Sequence, residues 1–441
     1  MNILLVSLGC DKNLVDSEYM IGELLEKGYT VTDDENEADV IVVNSCCFIG
    51  DAKEESIDTI LSMAKLKENG RLKALVVAGC LAQRYQDEVL RELPEVDALV
   101  GTGACASIAE AVEHALAGRA YKNFGSAGRS QLIQEKTGPV ATGGHYAYLK
   151  IAEGCDKHCT YCVIPSIRGP YRSVPIEALT AQARKLAAQG VKELILVAQE
   201  TTLYGEDLYG EKSLGRLLDE LNSIDGIYWI RLLYCYPEEI DAALIDAIRR
   251  NEKVVHYLDM PIQHINDEIL RRMGRRTSGE KLADQIELLR REIPDICLRT
   301  TLISGFPGET PEMHEELLEF LNWAEFDRLG VFPYSPEEGT PAAEFEGQMD
   351  EETKLTRRDE IMELQQEIAF DRNEKMIGRK LWAFIEGKVA DEDAYVARTY
   401  RDAPGVDGYL FIHTDRELLS GDFVKVRVKG ALDYDLIGEI I

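Results

Sequence analysis

The chain has no long apolar run. Stretches such as Ile3–Val6 and Ala74–Ala78 are of strand length, far from the roughly 18–20 residues that cross a bilayer. The N-terminus shows neither the basic region nor the small-residue cleavage site of a secretory leader, so the expected location is cytoplasmic. Cysteine is too sparse for a disulfide scaffold, with ten in 441 residues. In a reducing compartment, clustered thiols read as metal ligands. Positive charge is short as well: 49 Lys and Arg stand against 79 Asp and Glu, a net charge of −30. A general nucleic-acid binder would carry a basic stripe. An acidic chain is either simply soluble or suited to a basic protein partner. The length allows two or three domains with well-buried cores.

Residues 1–117 alternate strand and helix patterns. Asn2–Ser7, Val40–Asn44, Leu75–Ala78 and Ala98–Val100 read as strands, with helical patterns after each. This alternation predicts a parallel, doubly wound sheet. Residues 118–140 hold several glycines and read as a linker. A second α/β series then begins, with candidate strands at Ala147–Ala152, Glu193–Ala198, Tyr228–Leu233, Val255–Leu258, Cys297–Ile303 and Arg328–Phe332. Six such repeats predict a partial (β/α) barrel with its chemistry at the carboxyl ends of the strands. This unit is bounded at 141–372. Residues 373–441 change to short strands separated by turns, which predicts a small antiparallel β-barrel. From Glu374 onward, Lys and Arg total ten against thirteen Asp and Glu, so this module is not a basic one. The stretch 333–352 contains Glu337, Glu338, Glu344 and Glu346 with no Lys or Arg. It reads as a solvated acidic loop or as a docking surface for a basic partner.

Two sets of cysteines carry chemistry. Cys155, Cys159 and Cys162 stand at C-x3-C-x2-C spacing in one loop after the first strand of the second series. A structural zinc site would need a fourth ligand, and none sits at zinc-finger spacing, although His158 is close. Three thiolates suit a cuboidal 4Fe–4S cluster that keeps one iron open. The second set is scattered. Cys10, Cys46 and Cys80 each follow a strand of the N-terminal unit, at the sheet edge where open α/β folds bind ligands. They are expected to converge on a second cluster. Cys47, Cys105, Cys235 and Cys297 have no partners at useful spacing and read as bystanders. Gln199 and Glu200 follow the second barrel strand, and Gly305 opens the loop after the fifth. A ligand contact, or a turn with a helix cap, would explain either loop.

The C-x3-C-x2-C loop, with Tyr161 before its last cysteine, resembles the signature of radical S-adenosylmethionine (SAM) enzymes. With the three N-terminal cysteines and the small C-terminal barrel, the whole chain resembles the radical SAM methylthiotransferase family. That resemblance implies an N-terminal auxiliary-cluster domain, a radical SAM core and a C-terminal TRAM barrel. It implies two 4Fe–4S clusters, one on Cys155, Cys159 and Cys162 and one on Cys10, Cys46 and Cys80. It also implies SAM contacts at Tyr161, Gln199, Glu200 and Gly305, a low-potential electron donor and a sulfur donor. One branch modifies an adenosine of transfer RNA, and another modifies an aspartate of small-subunit ribosomal protein twelve. The stretches Tyr234-Cys235-Tyr236-Pro237-Glu238-Glu239, Tyr257–His264 and Phe326–Phe332, together with Tyr334–Thr340, resemble the ribosomal-protein branch. They imply methylthio transfer to the β-carbon of that aspartate. Glu200 stands where this branch commonly has Asp, and Cys47 where Gly is common. Neither departure removes a ligand.

Overall fold

The computed structural model describes residues 1–68, 71–125, 138, 140–390 and 392–441. Six strands form the N-terminal sheet: β1 (Asn2–Ser7), β2 (Thr30–Val31), β3 (Val40–Ser45), β4 (Ala74–Gly79), β5 (Ala98–Gly101) and β6 (Tyr121–Asn123). Their order is β2-β1-β3-β4-β5-β6, and every pair is parallel. The two central strands read Val-Ile-Val-Val-Asn-Ser and Ala-Leu-Val-Val-Ala-Gly and are buried throughout. Such continuous burial is what a parallel sheet covered on both faces requires. Ile41, Val43, Leu75, Val77 and Leu99 pack into one helical layer. Val40, Val42, Val76, Ala98 and Val100 pack into the other. The sheet is therefore doubly wound, as the alternation predicts. Strand β6 extends the ordered sheet into the stretch expected to be linker, while 126–137 and 139 of that stretch lie outside the described residues.

The second unit contains β7 (Tyr146–Lys150), β8 (Ala152–Glu153), β9 (Arg172–Ser173), β10 (Glu193–Val197), β11 (Trp229–Leu232), β12 (Val254–Asp259), β13 (Cys297–Ser304) and β14 (Arg328–Pro333). Strands β8 and β9 make a small antiparallel pair. The other six form one parallel sheet in the order β14-β13-β12-β11-β10-β7, open at both ends. Residues alternate between its two sides. Leu149, Leu194, Leu196, Leu232, Leu258 and Leu298 pack outward against the helices. Each such fully buried side chain contributes roughly 1.5–3 kcal/mol of transfer free energy. On the inner side, Ile195, Val197, Trp229, Val255, Tyr257 and Cys297 pack with Phe384 and Ala403 of the C-terminal module.

That module is a closed barrel of β15 (Lys380–Lys388), β16 (Ala394–Thr399), β17 (Leu410–His413), β18 (Phe423–Ala431) and β19 (Leu436–Ile440). The barrel is antiparallel as expected at four of its seams, and at the fifth β17 and β19 are parallel. The reason is arithmetic: five strands in a ring cannot alternate direction all the way round, so one neighbouring pair must match. Several of the module's charged residues are spent inward. Arg398 is paired to Glu193 at 2.6 Å, Arg401 to Asp327 at 3.0 Å, and Asp402 to Arg328 at 2.5 Å, all buried. The barrel is thus fastened to the core by ion pairs as well as by aromatic packing. Among the described residues, no helix is long and apolar enough to cross a membrane.

Candidate functional site

The register of the N-terminal sheet determines where its cysteines fall. Ser7 lies opposite Asn44, Asn44 opposite Ala78, and Ser45 opposite Gly79. Three adjacent parallel strands therefore end at one level, and Cys46 and Cys80 follow directly while Cys10 follows three residues on. Cys10 stands at the start of helix Asp11–Glu26, and Cys80 begins helix Cys80–Tyr85. That second helix starts earlier than the sequence pattern places it, and it breaks at Gln86, where φ is 46°. Gly9 has φ 83°, and a β-carbon there would lie 2.6 Å from Cys46 Cβ and 2.7 Å from its Sγ. Only glycine lets the Cys10 loop and Cys46 approach so closely. Burial raises the Cys46 thiol and pushes that of Cys80 up to about 12, with the Cys10 thiol adding to both and Cys46 to Cys80. The neighbouring Cys47 is fully buried in the hydrophobic layer beneath.

The C-x3-C-x2-C loop follows β8. Cys155 and Cys159 are buried and Cys162 is half-buried, while His158 between them is exposed. Burial pushes the Cys155 thiol up to about 11 and the Cys162 thiol up to about 12. Metal binding would displace these protons. Tyr236 Oη is hydrogen-bonded to Cys159 Sγ at 2.6 Å. Arg275 lies 3.9 Å over the Tyr236 ring and forks onto Glu238 at 3.0 and 3.1 Å. Lys157 of the loop pairs with Glu239. The segment Tyr234–Glu239 therefore braces the cysteine loop, a role its sequence does not announce.

The other residues expected to bind cofactor surround this loop. Gln199 Oε1 accepts from the Gly154 N–H at 2.8 Å, and its Nε2 donates to Glu153 Oε1 at 2.9 Å. Gln199 is thus committed to the loop backbone. Glu200 is fully buried; its Oε1 accepts from the Thr202 N–H at 2.8 Å and from the Thr202 hydroxyl, and its Oε2 has no partner. Burial raises its carboxyl to about 7, against those hydrogen bonds. An unpartnered buried carboxylate oxygen beside Cys155 fits a ligand ammonium. Tyr161 meets Phe306 edge-on at 6.4 Å, next to Gly305. Gly305 has φ 67°, and a β-carbon there would strike Lys354 at 2.5 Å. Its close approach is to the helix Glu351–Glu374. The two bystanders of the second unit, Cys235 and Cys297, are fully buried, and Cys105 donates to the Thr102 carbonyl at 3.5 Å.

The two cysteine sets meet across an ionic junction that the sequence reading missed. Asp16 accepts from Arg168 Nη1 at 2.7 Å and pairs with Lys150. Glu153 pairs with Lys150 at 2.7 Å and Arg168 at 3.3 Å. Burial opposes the charge of Glu153, but Lys150 and Arg168 outweigh it and hold the carboxyl at about 2. Arg168 Nη2 donates to Asn13 Oδ1 and lies 3.4 Å from Cys80 Sγ. A second junction corrects the reading of the acidic stretch at Glu337 alone, while Glu338, Glu344 and Glu346 are exposed as expected of a solvated run. Glu337 is buried and accepts from Arg84 at 2.8 Å, while Arg84 also donates to the Glu338 carbonyl at 2.9 Å. Arg84 follows Cys80 by one helical turn, so the Glu337 carboxylate and the Glu338 carbonyl clamp the N-terminal unit onto the barrel mouth. Among the described residues, no three or more His, Cys, Asp or Glu side chains are already gathered at metal-ligand distances.

Known proteins agree with this architecture. Residues 2–101 match the uncharacterized protein family UPF0004, residues 149–321 the radical SAM superfamily, and residues 377–441 the TRAM domain. The chain is 58% identical over 439 residues to the ribosomal protein uS12 methylthiotransferase RimO of Lachnoclostridium phytofermentans, covering 99% of both chains. It is 51% identical to the protein of the same name from Pelotomaculum thermopropionicum, covering 99% of this chain and 98% of that one. It is 46% identical to that from Clostridioides difficile, covering 100% and 99%. Among solved structures, the radical SAM methyltransferase TsrM from Kitasatospora setae superposes with a TM-score of 0.55 at 15% identity, over 88% of this chain and 79% of that one. This last likeness is one of fold. Radical SAM membership implies a 4Fe–4S cluster and SAM. The chain belongs to the radical SAM superfamily and, within it, to the ribosomal protein uS12 methylthiotransferase RimO family.

Proposed function

We propose that this chain transfers a methylthio group to the β-carbon of an aspartate of ribosomal protein uS12. Two 4Fe–4S clusters serve the reaction, one on Cys155, Cys159 and Cys162 and one on Cys10, Cys46 and Cys80. The observation that carries the reading is a buried junction between the two sets: Arg168 lies 3.4 Å from Cys80 and pairs with Glu153, which accepts from the Gln199 that holds the Gly154 backbone of the C-x3-C-x2-C loop. With clusters and SAM bound, the site supplies hydrogen abstraction from an unactivated carbon and a sulfur to replace that hydrogen.

The chain's own residues do the rest. Glu200 Oε2 accepts the ammonium of SAM, and Gln199 holds the Gly154 backbone so that the cysteine loop keeps its shape. Tyr161 and the Gly305 loop line the remaining side. Tyr236 donates to the Cys159 sulfur, and hydrogen bonds of this kind tune such centres. The Arg84–Glu337 clamp keeps the N-terminal unit over the barrel mouth, which excludes water from the reacting groups. Net charge of −30 favours encounter with a basic ribosomal protein. Functional units run over 1–117 together with strand β6, 141–372 and 373–441, with the rest of 118–140 as linker. The activity belongs in the cytoplasm and needs a low-potential electron donor and a sulfur donor.

The test offers uS12 and unmodified transfer RNA in parallel to anaerobically reconstituted protein with SAM, sulfide and a low-potential reductant. Mass spectrometry should find a methylthio adduct on an aspartate of uS12. An adduct on adenosine alone would move the chain to the transfer-RNA branch.

A further inference from the structure

We propose that Arg168 is a positioning residue that donates a hydrogen bond to the Cys80 sulfur of the loaded N-terminal site and ties that site to the loop of Cys155. The inference rests on reading Cys10, Cys46 and Cys80 as cluster ligands. Arg168 is 2% exposed and comes from the short helix that follows Cys162. Its guanidinium faces four partners from two units: Asp16, Asn13 and Cys80 of the N-terminal unit and Glu153 of the barrel. The charge count around it is informative. Asp16 and Glu153 balance Lys150 and Arg168 only while Cys80 is a neutral thiol. Cluster binding makes that sulfur a thiolate and adds negative charge to a buried place. A buried charge requires a partner, and the guanidinium Nη2 at 3.4 Å is the cation already aimed at it.

A planar guanidinium serves this purpose as an ammonium does not. Its fork reaches the sulfur and a carboxylate at once. From Glu153 the bonding continues through Gln199 Nε2 to Gln199 Oε1 and the Gly154 N–H, the residue before Cys155. One unbroken chain of hydrogen bonds therefore runs from Cys80 to the backbone of the other cysteine loop. Donation to a cluster sulfur stabilises the more reduced, more negative state, so it raises the reduction potential.

The experiment uses full-length reconstituted protein in two backgrounds. In the first, Cys155, Cys159 and Cys162 are replaced by Ala, leaving only the N-terminal site to load. In the second, Cys10, Cys46 and Cys80 are replaced. Iron and sulfide are counted, and potentials are read by anaerobic titration with electron paramagnetic resonance. Arg168→Met should shift the N-terminal cluster to a more negative potential, with Arg168→Lys intermediate, and should move the other cluster less. A brace without electronic contact would lower thermal stability and leave the potential where it was. An unshifted N-terminal potential in either Arg168 variant overturns the proposal, and Arg168→Lys carries the test should Arg168→Met not fold. Full iron retained after loss of Cys10, Cys46 and Cys80 would instead overturn the underlying assignment of ligands.

Discussion

The two cysteine trios are gathered in opposite ways. Cys155, Cys159 and Cys162 are neighbours because eight residues of loop make them so. Cys10, Cys46 and Cys80 are neighbours only because β1, β3 and β4 lie side by side, parallel and in register. The first arrangement is a property of a peptide, the second of a fold. A local site tolerates distant disturbance, whereas a site assembled from three strand ends inherits every error of the sheet.

Selective loss of each trio should separate them most strongly. Cys155→Ala is expected to abolish SAM cleavage, read as loss of 5′-deoxyadenosine. Cys10→Ala should keep measurable cleavage while methylthio product falls to background; full product from that variant would break the comparison. Opening the clamp comes next. Removing one partner of a buried ion pair costs roughly 3–5 kcal/mol, and Arg84→Ala leaves Glu337 unpaired in that way. Because the pair lies at a domain edge, about 3 kcal/mol is expected by denaturant unfolding. Product should fall further than SAM cleavage, since the clamp aligns two sites and builds neither. Gly9→Ala tests the assembled site from within. The left-handed φ and the collision with Cys46 should cost about 1–3 kcal/mol, and iron should be lost from the N-terminal site alone.

Acid should affect the two regions with opposite sign. His264, buried under the Gly305–Thr310 loop, is lowered by burial from 6.5 to about 3. Between those values the unfolded chain holds the extra proton, so stability rises with pH by up to about 1.4 kcal/mol per unit. Glu18, on the N-terminal helix, is raised by burial from 4.5 to about 7. There the folded chain holds the extra proton, so stability falls as pH rises through that window. His264→Asn should flatten the first slope and Glu18→Gln the second, both read from urea unfolding of the metal-free protein between pH 4 and pH 8. Identical slopes in parent and variants would remove the contrast.

Much of this was legible before any coordinates. Strand and helix alternation announced both α/β units, and helices Gly279–Glu292 and Pro311–Ala324 end where their apolar period ends. The C-x3-C-x2-C spacing announced the radical SAM superfamily, which residues 149–321 match. Other features were not legible for identifiable reasons. Glu337 looked like one of a run of solvated acids because its partner Arg84 lies 253 residues away. Arg168 did not stand out at all, since nothing local signals a buried guanidinium. The parallel β17–β19 seam follows from ring closure, which no single strand encodes.

By itself, then, the sequence determined what depends on near neighbours along the chain: the local thiol loop, the periods of helices and strands, the balance of charge. The tertiary structure decided what depends on strand order and on pairing between distant segments. It brought three scattered cysteines to one edge, paired Arg398 and Arg401 of the small barrel with buried carboxylates, and placed Arg168 between the two sets of cysteines. The physical reason is that spacing along a chain sets geometry only over a few residues, whereas burial makes distant charges find each other.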